Sequence, residues 1–184
     1  SPTSGTIYTV TVSAGGCSDT ASVFVDTYPV PSAAIDGNIV ICLGSNTSLS
    51  ASGGISYLWN TGASTASVSV SPTTATNYTV TVTDNNGCTN KTSVTVNVSS
   101  VSLNVSGTTS ICNGAATTLT ASGAVSYVWQ PGTGLNNTTG STVISTVTTT
   151  TTYSVTGTDA NGCTAITVLT VTVGNLAASA GNDL

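Results

Sequence analysis

Two blocks of this sequence recur in fixed order, and that repetition constrains the fold more tightly than any single motif. The first block runs Ile41-Cys42, Thr47, Leu49, Ala51-Ser52-Gly53, Ser56-Tyr57 and Trp59. It returns about 70 residues later as Ile111-Cys112, Thr117, Leu119, Ala121-Ser122-Gly123, Ser126-Tyr127 and Trp129. The second block, Asn77-Tyr78-Thr79-Val80-Thr81-Val82-Thr83-Asp84 followed by Asn86-Gly87-Cys88-Thr89, returns as Thr152-Tyr153-Ser154-Val155-Thr156-Gly157-Thr158-Asp159 followed by Asn161-Gly162-Cys163-Thr164. A third copy of this block stands at the start, as Ile7-Tyr8-Thr9-Val10-Thr11-Val12 followed by Gly16-Cys17-Ser18. The expected organisation is two whole units, residues 32–99 and 100–174, preceded by the C-terminal half of an earlier unit at 1–31 and followed by a linker at 175–184. On this reading the 184 residues are a window on a longer tandem array.

Composition says what each unit is made of. Roughly a third of the residues are Ser or Thr, and Val, Ala, Gly and Asn supply most of the rest. β-Branched Val and Thr are stiff at the first side-chain torsion and sit well on a pleated surface, whereas the helix formers Glu, Arg and Met are absent. An all-β chain follows, and a mean hydropathy of +0.31 argues against disorder. Alternation at period two marks individual strands: Tyr78, Val80 and Val82 share one face and Thr79, Thr81 and Thr83 the other, and Val94, Val96 and Val98 alternate with Thr95 and Asn97. Asp84-Asn85-Asn86-Gly87 and Asp159-Ala160-Asn161-Gly162 have the chemistry of tight hairpin turns. About seven short strands per unit are expected, which reads as a β-sandwich.

The same inventory removes most functions. With one Lys, no Arg, no His and no Glu, there is no group that tunes easily to neutral pH for general acid–base work, and isolated hydroxyls such as Ser48 or Thr117 have no base beside them. The chain is therefore expected to be non-enzymatic and to need no cofactor. A net charge of −5 and a pI near 4.1 repel nucleic acid. No apolar run approaches the roughly 18 to 20 residues of a membrane span, so no membrane insertion is expected.

Within each unit the core markers are those of an immunoglobulin-like sandwich: Trp59 or Trp129 on the third strand, Leu49 or Leu119 on the second, and Tyr78 or Tyr153, with Tyr8 in the leading half, opening the sixth. Val80 and Val155 stand where antibody domains carry the second sheet-bridging cysteine. The series Ile-Cys, Leu-x-Ala-Ser-Gly, Ser-Tyr-x-Trp, Thr-x-Tyr-x-Val and Asp-x-Asn-Gly-Cys-Thr resembles the Ig-like (PKD-like) tandem repeat of bacterial surface and adhesin proteins exported by the type IX route. It covers nearly the whole chain. The resemblance implies a secreted or cell-surface protein, a structural segment of an extracellular filament or adhesin stalk. Its partners would then be neighbouring repeats, other copies of the protein and glycans. The alternative it leaves open is a glycan- or protein-binding module, or a spacer in a secreted enzyme.

The candidate site residues follow. Five cysteines in an acidic β-rich chain point to an oxidising compartment. Equivalent positions suggest one disulfide per unit, Cys42 with Cys88 and Cys112 with Cys163, each closing a loop of roughly 50 residues worth about 4 kcal/mol; Cys17 would pair outside the sequence. Without His or Cys-x-x-Cys, a metal site is not expected. Asp84 and Asp159 read as turn-capping residues rather than calcium ligands, with Asp36 and Asp183 the only candidates for an ion between units. Asp19-Thr20-Ala21 resembles the bacterial O-glycosylation site, which makes Thr20 a candidate against plain surface strand. The Asn-x-Ser/Thr sequons at Asn46, Asn77, Asn90, Asn97 and Asn104 are chance in so Asn- and Thr-rich a chain. Trp59, Trp129, Tyr57 and Tyr127 are read as core rather than as a sugar-stacking platform. Residues 132–140 form a longer loop than their counterpart after Trp59, and any unit-specific binding is expected there. One Lys, Lys91, leaves sheet edges without charged protection, so sugars or neighbouring copies are expected to cover them.

Overall fold

The computed structural model describes residues 2–174. Among the described residues all regular structure is β. In chain order the strands are β1 (Thr6–Ala14), β2 (Cys17–Val25), β3 (Ala34–Gly37), β4 (Val40–Cys42), β5 (Thr47–Ser52), β6 (Ser56–Trp59), β7 (Ser67–Val70), β8 (Thr76–Thr83), β9 (Thr89–Ser99), β10 (Asn104–Gly107), β11 (Ser110–Cys112), β12 (Ala116–Ser122), β13 (Ser126–Gln130), β14 (Thr142–Thr146), β15 (Thr151–Thr158) and β16 (Thr164–Gly174). They form sheets of order β1-β2, β3-β5-β7, β4-β9-β8-β6, β10-β12-β14 and β11-β16-β15-β13. Each full sequence repeat thus carries seven strands in a three-stranded and a four-stranded sheet, the immunoglobulin-like arrangement.

By proximity the chain divides into two compact units. The first comprises the stretch up to Asn38, Thr47–Val70 and Thr76–Thr95; the second comprises Ile39–Asn46, Ser71–Ala75 and the stretch from Val96.

In the first unit the period-two pattern does what it must. Leu49 and Ala51 of β5 and Val70 of β7 are buried, and so are Trp59 of β6 and Tyr78, Val80 and Val82 of β8. Serines and threonines take the intervening, outward positions. In the second unit Leu119, Ala121, Tyr127, Trp129, Val143, Val147, Tyr153, Val155 and Val171 make one core cluster, with Leu103, Val105 and Leu169 packed at its margin. Trp129 and Tyr153 contribute the largest side chains and are fully buried, each with its polar end satisfied. The indole Nε1–H donates to Gly140 O at 3.0 Å, and the Tyr153 hydroxyl donates to Thr133 O at 2.7 Å. The unsatisfied-donor cost of burying an aromatic with a polar tip is thereby avoided.

The first strand of each repeat is split, which sequence reading did not foresee. β3 pairs antiparallel with β5, Ile35 opposite Ala51, while β4 pairs parallel with β9, Ile41 opposite Val98. β10 with β12 and β11 with β16 repeat this, Val105 opposite Ala121 and Ile111 opposite Val173. Gly107 ends β10 at a φ of 147°, and a Cβ there would lie 2.6 Å from Thr118 O, so only glycine allows the chain to leave one sheet for the other. Counting both pieces moves Leu49 and Leu119 from the second strand to the third, and Trp59 and Trp129 from the third to the fourth; Tyr78 and Tyr153 stay on the sixth.

Hydroxyl pairs link neighbouring strands on the outer faces. Thr9 and Ser22 share a hydrogen bond of 2.9 Å, Ser50 and Ser67 one of 3.0 Å, and Thr152 and Thr170 one of 2.8 Å. All three are pairs directly opposite on neighbouring strands.

Tyr8 departs from its expected role. Among the described residues the hairpin β1-β2 is a two-stranded sheet to itself, and Tyr8 is 49% exposed, with Val10 and Val12 exposed beside it. The equivalent residues Tyr78, Val80 and Val82 are buried because their repeat supplies β5 and β6. Tyr8 is therefore a surface residue here and not a core marker.

Candidate functional site

The Asp-x-Asn-Gly-Cys block folds into a turn that its own aspartate holds shut. Between β15 and β16 the Asp159 amide donates to Cys163 O at 2.9 Å, and Gly162, at a φ of 82°, lets the backbone reverse. One carboxylate oxygen of Asp159 then accepts from the backbone amides of Asn161 at 2.9 Å and Cys163 at 2.8 Å. The turn between β8 and β9 is the same: Asp84 accepts from the amides of Asn86 and Cys88, each at 2.9 Å. Both aspartates thus cap their own turns, as Asn- and Asp-bearing turns do.

Around the second of these turns lies a junction of five side chains, Cys42, Ser99, Asp159, Asn161 and Cys163. β4 runs parallel to the C-terminal end of β9 with Cys42 opposite Ser99, and the Leu43 amide donates to Ser99 O at 2.9 Å. Cys42 is bonded to Cys163, with a Cα–Cα distance of 5.4 Å and a sequence separation of 121. The free oxygen of Asp159 accepts from the Ser99 hydroxyl, and Asn161 Nδ2 donates to that hydroxyl at 3.2 Å. The Ser99 hydrogen bond, foremost, and the amides of the turn hold the Asp159 carboxyl below its ordinary range. Cys42, Ser99, Asp159 and Cys163 all belong to the second compact unit, although Cys42 and Ser99 come from the earlier sequence repeat.

This pairing corrects the expected one. Neither Cys42 with Cys88 nor Cys112 with Cys163 is joined; Cys88, Cys112 and Cys17 are free thiols, and the structure's disulfide links one sequence repeat to the next rather than closing each repeat on itself. The reason is strand direction. In the second repeat Cys112 lies opposite Gly174, at the far end of β16, whereas Cys163 precedes the near end of that strand. Ten residues of extended strand separate the two levels by roughly 35 Å, far beyond the reach of a disulfide, whose Cα atoms must lie within about 7 Å.

Chemically the junction carries a covalent link and a hydrogen-bonded clasp. Ser99 donates to the Asp159 carboxylate and helps hold it ionised. Among the described residues no three His, Cys, Asp or Glu side chains come together, and Asp36 is exposed on β3. Asp183 lies outside the described residues.

Other sequence-derived candidates fall as follows. Trp59 and Trp129 are 1% and 0% exposed, which rules out a stacking platform on their rings. Tyr57 is half-buried and Tyr127 buried, and each hydroxyl donates to a backbone carbonyl of its own turn, Gly54 O at 2.8 Å and Ala124 O at 2.7 Å. Thr20 stands exposed on β2, its amide donating to Asp19 Oδ1 at 2.8 Å. Lys91 is exposed on β9. The long loop at residues 132–140 is laid along the sheets: the Trp129 amide donates to Thr138 O at 2.8 Å, Asn136 N to Ile144 O at 2.9 Å, and Thr146 N to Gly134 O at 2.7 Å. Sequence reading missed Ser99, although one signal pointed to it: Ser99 and Gly174 stand equally far after Cys88 and Cys163, so the aligned position carries a hydroxyl in one repeat and no side chain in the other.

No protein-family model and no curated protein sequence matches the chain. Similar solved structures include a 1.5-MDa bacterial ice-binding adhesin, at 19% identity and a TM-score of 0.41, covering 91% of this chain and 73% of that one. A Ca2+-stabilized adhesin with which an Antarctic bacterium binds ice aligns at 18% identity and 0.43, over 96% and 58%. The insect immune protein hemolin aligns at 13% and 0.39, over 91% and 56%. The chain spans little more than half the length of the latter two.

Proposed function

We propose that the chain is a non-catalytic structural segment of an extracellular bacterial adhesin stalk or filament, built from Ig-like repeats of the PKD-like, type IX-exported kind. The observation that carries this reading is the bond from Cys42 to Cys163, which ties consecutive sequence repeats covalently. A disulfide persists in an oxidising compartment, which supports a secreted or cell-surface location. Cores of interlocked aliphatic and aromatic side chains and hydroxyl pairs on the outer faces support a load-bearing role.

The proposal extends to what covers the surface. The faces of β1 and β2 and the edges of the sheets are protected by neighbouring repeats, other copies of the chain, or glycans, Thr20 being the candidate O-linked site. Electron microscopy of material released from the native cell surface tests the reading. Long beaded fibres or stalks reactive with antibody to this chain support it, and discrete particles with hydrolase activity or glycan-binding activity contradict it.

A further inference from the structure

Two of the three free thiols occupy the same motif positions as the joined pair. Cys88 closes an Asp84-Asn85-Asn86-Gly87-Cys88 turn with the hydrogen bonds of the Asp159 turn, and Cys112 ends the Ile111-Cys112 strand equivalent to Ile41-Cys42. Strand direction denies both a partner in their own repeat: Cys112 lies opposite Gly174, a full strand from Cys163, and Cys42 is already bonded. Cys112 is exposed and Cys88 partly so, hence both are open to a partner from outside.

We infer that Cys112 and Cys88 are two halves of further junctions of the Cys42–Cys163 kind. Cys112 accepts the cysteine of an Asp-x-Asn-Gly-Cys turn from a following repeat, and Cys88 inserts as such a turn against an Ile-Cys strand of a preceding one. This rests on the stalk reading and deepens it, because Cys112 lies inside the loop closed by Cys42 and Cys163. Successive loops therefore overlap, and no repeat stands outside a cross-link. Cys17 sits at the matching position, but its turn has Gly15-Gly16 without the aspartate, so the inference does not depend on it. The two junctions also differ in kind. Gly174 replaces Ser99 at the level of Cys112, so a turn docking there finds no hydroxyl for its aspartate and is held by sulfur with less help from hydrogen bonds.

Each bond forms by thiol–disulfide exchange with an oxidised dithiol catalyst or oxidised glutathione. A thiolate attacks the donor's disulfide to give a mixed disulfide, and the second cysteine thiolate displaces the donor's remaining sulfur. Two protein thiols are oxidised, one donor disulfide is reduced, and the two protons of the protein thiols end on the donor's two sulfurs.

The test is peptide mapping of the intact protein from its native surface, alkylated before unfolding and cut without reduction before Asp and after Lys. Lys91 separates Cys88 from Cys112. The expected result is Cys112 joined to a peptide with an Asn-Gly-Cys turn and Cys88 joined to a peptide with an aliphatic-Cys strand. Partner peptides from sequence outside these residues identify contiguous repeats. A Cys112 peptide joined to Cys88 or Cys17, in material that forms ladders on non-reducing gels, identifies a second copy. Alkylated free thiols at both positions, or a Cys88–Cys112 bond within a monomer, overturns the inference while leaving the stalk reading to its own test.

Discussion

Cys42 and Cys163 are bonded across 121 residues of sequence, which encloses most of one repeat and more than half of the next within a single covalent loop. On the chain-entropy model a loop of this length removes about 5 kcal/mol of denatured-state freedom, an upper figure for a disulfide. Cys42→Ser is therefore expected to lower the denaturation midpoint of the second unit by the equivalent of about 3 to 5 kcal/mol, and Cys163→Ser equally. Cys88→Ser should stay within about 0.5 kcal/mol of the parent, as a free, partly exposed residue does. Urea unfolding of the three variants separates this pairing from one within repeats, in which Cys88→Ser would be as damaging as Cys42→Ser.

Tension should reveal the same loop. Pulled from its ends under oxidising conditions, the chain cannot release the residues behind the bond. With reductant present, the contour length gained on complete unfolding should rise by roughly 400 Å, from 121 residues at about 3.3 to 3.6 Å each. Single-molecule force spectroscopy reads this directly, and an unchanged contour length contradicts it.

Two glycines should differ sharply. Gly123 has a φ of 95°, and a Cβ there would lie 2.0 Å from Ser102 O, so Gly123→Ala adds a backbone clash to the strain of a left-handed residue. A loss of more than about 3 kcal/mol is expected. Gly162, at a φ of 82°, has nothing within 4 Å of its would-be Cβ, and Gly162→Ala should cost only about 1 to 2 kcal/mol. Thermal melts of both variants check the order.

Acid should weaken the Asp159 turn. Its native pKa lies below the ordinary 3.8, so its contribution is complete well above that value and is lost as pH falls below 3.8 through the depressed native value. Asp159→Asn removes this dependence. Comparing urea midpoints at about pH 7 and about pH 3, the parent should lose more stability than the variant; equal losses contradict the assignment.

Much of this was legible in the sequence because period-two alternation and repetition report local geometry. Leu119, Trp129, Tyr153 and Val155 alternate or recur and are buried, and Asp84 and Asp159 cap turns as their neighbours suggest. Tyr8 shows the limit: its pattern matches that of Tyr78, but burial depends on a second sheet that no local pattern supplies. The cysteine pairing failed for a related reason. Equivalence says which cysteines play the same role, whereas partner choice depends on strand direction, and the parallel pairing of β4 with the end of β9 is a long-range fact. Ser99 escaped notice because one serine among so many carries no signal until its distance from Cys88 is compared with that of Gly174.

The most direct test of the account is disulfide mapping of the 184-residue chain by itself, without the rest of the native protein that would supply partners to Cys88 and Cys112, alkylated and then cut before Asp and after Lys without reduction. The account predicts residues 36–83, carrying Cys42, joined to residues 159–182, carrying Cys163, with Cys88 and Cys112 recovered on separate alkylated peptides. Residues 36–83 joined instead to 84–91, and 92–158 joined to 159–182, would contradict it.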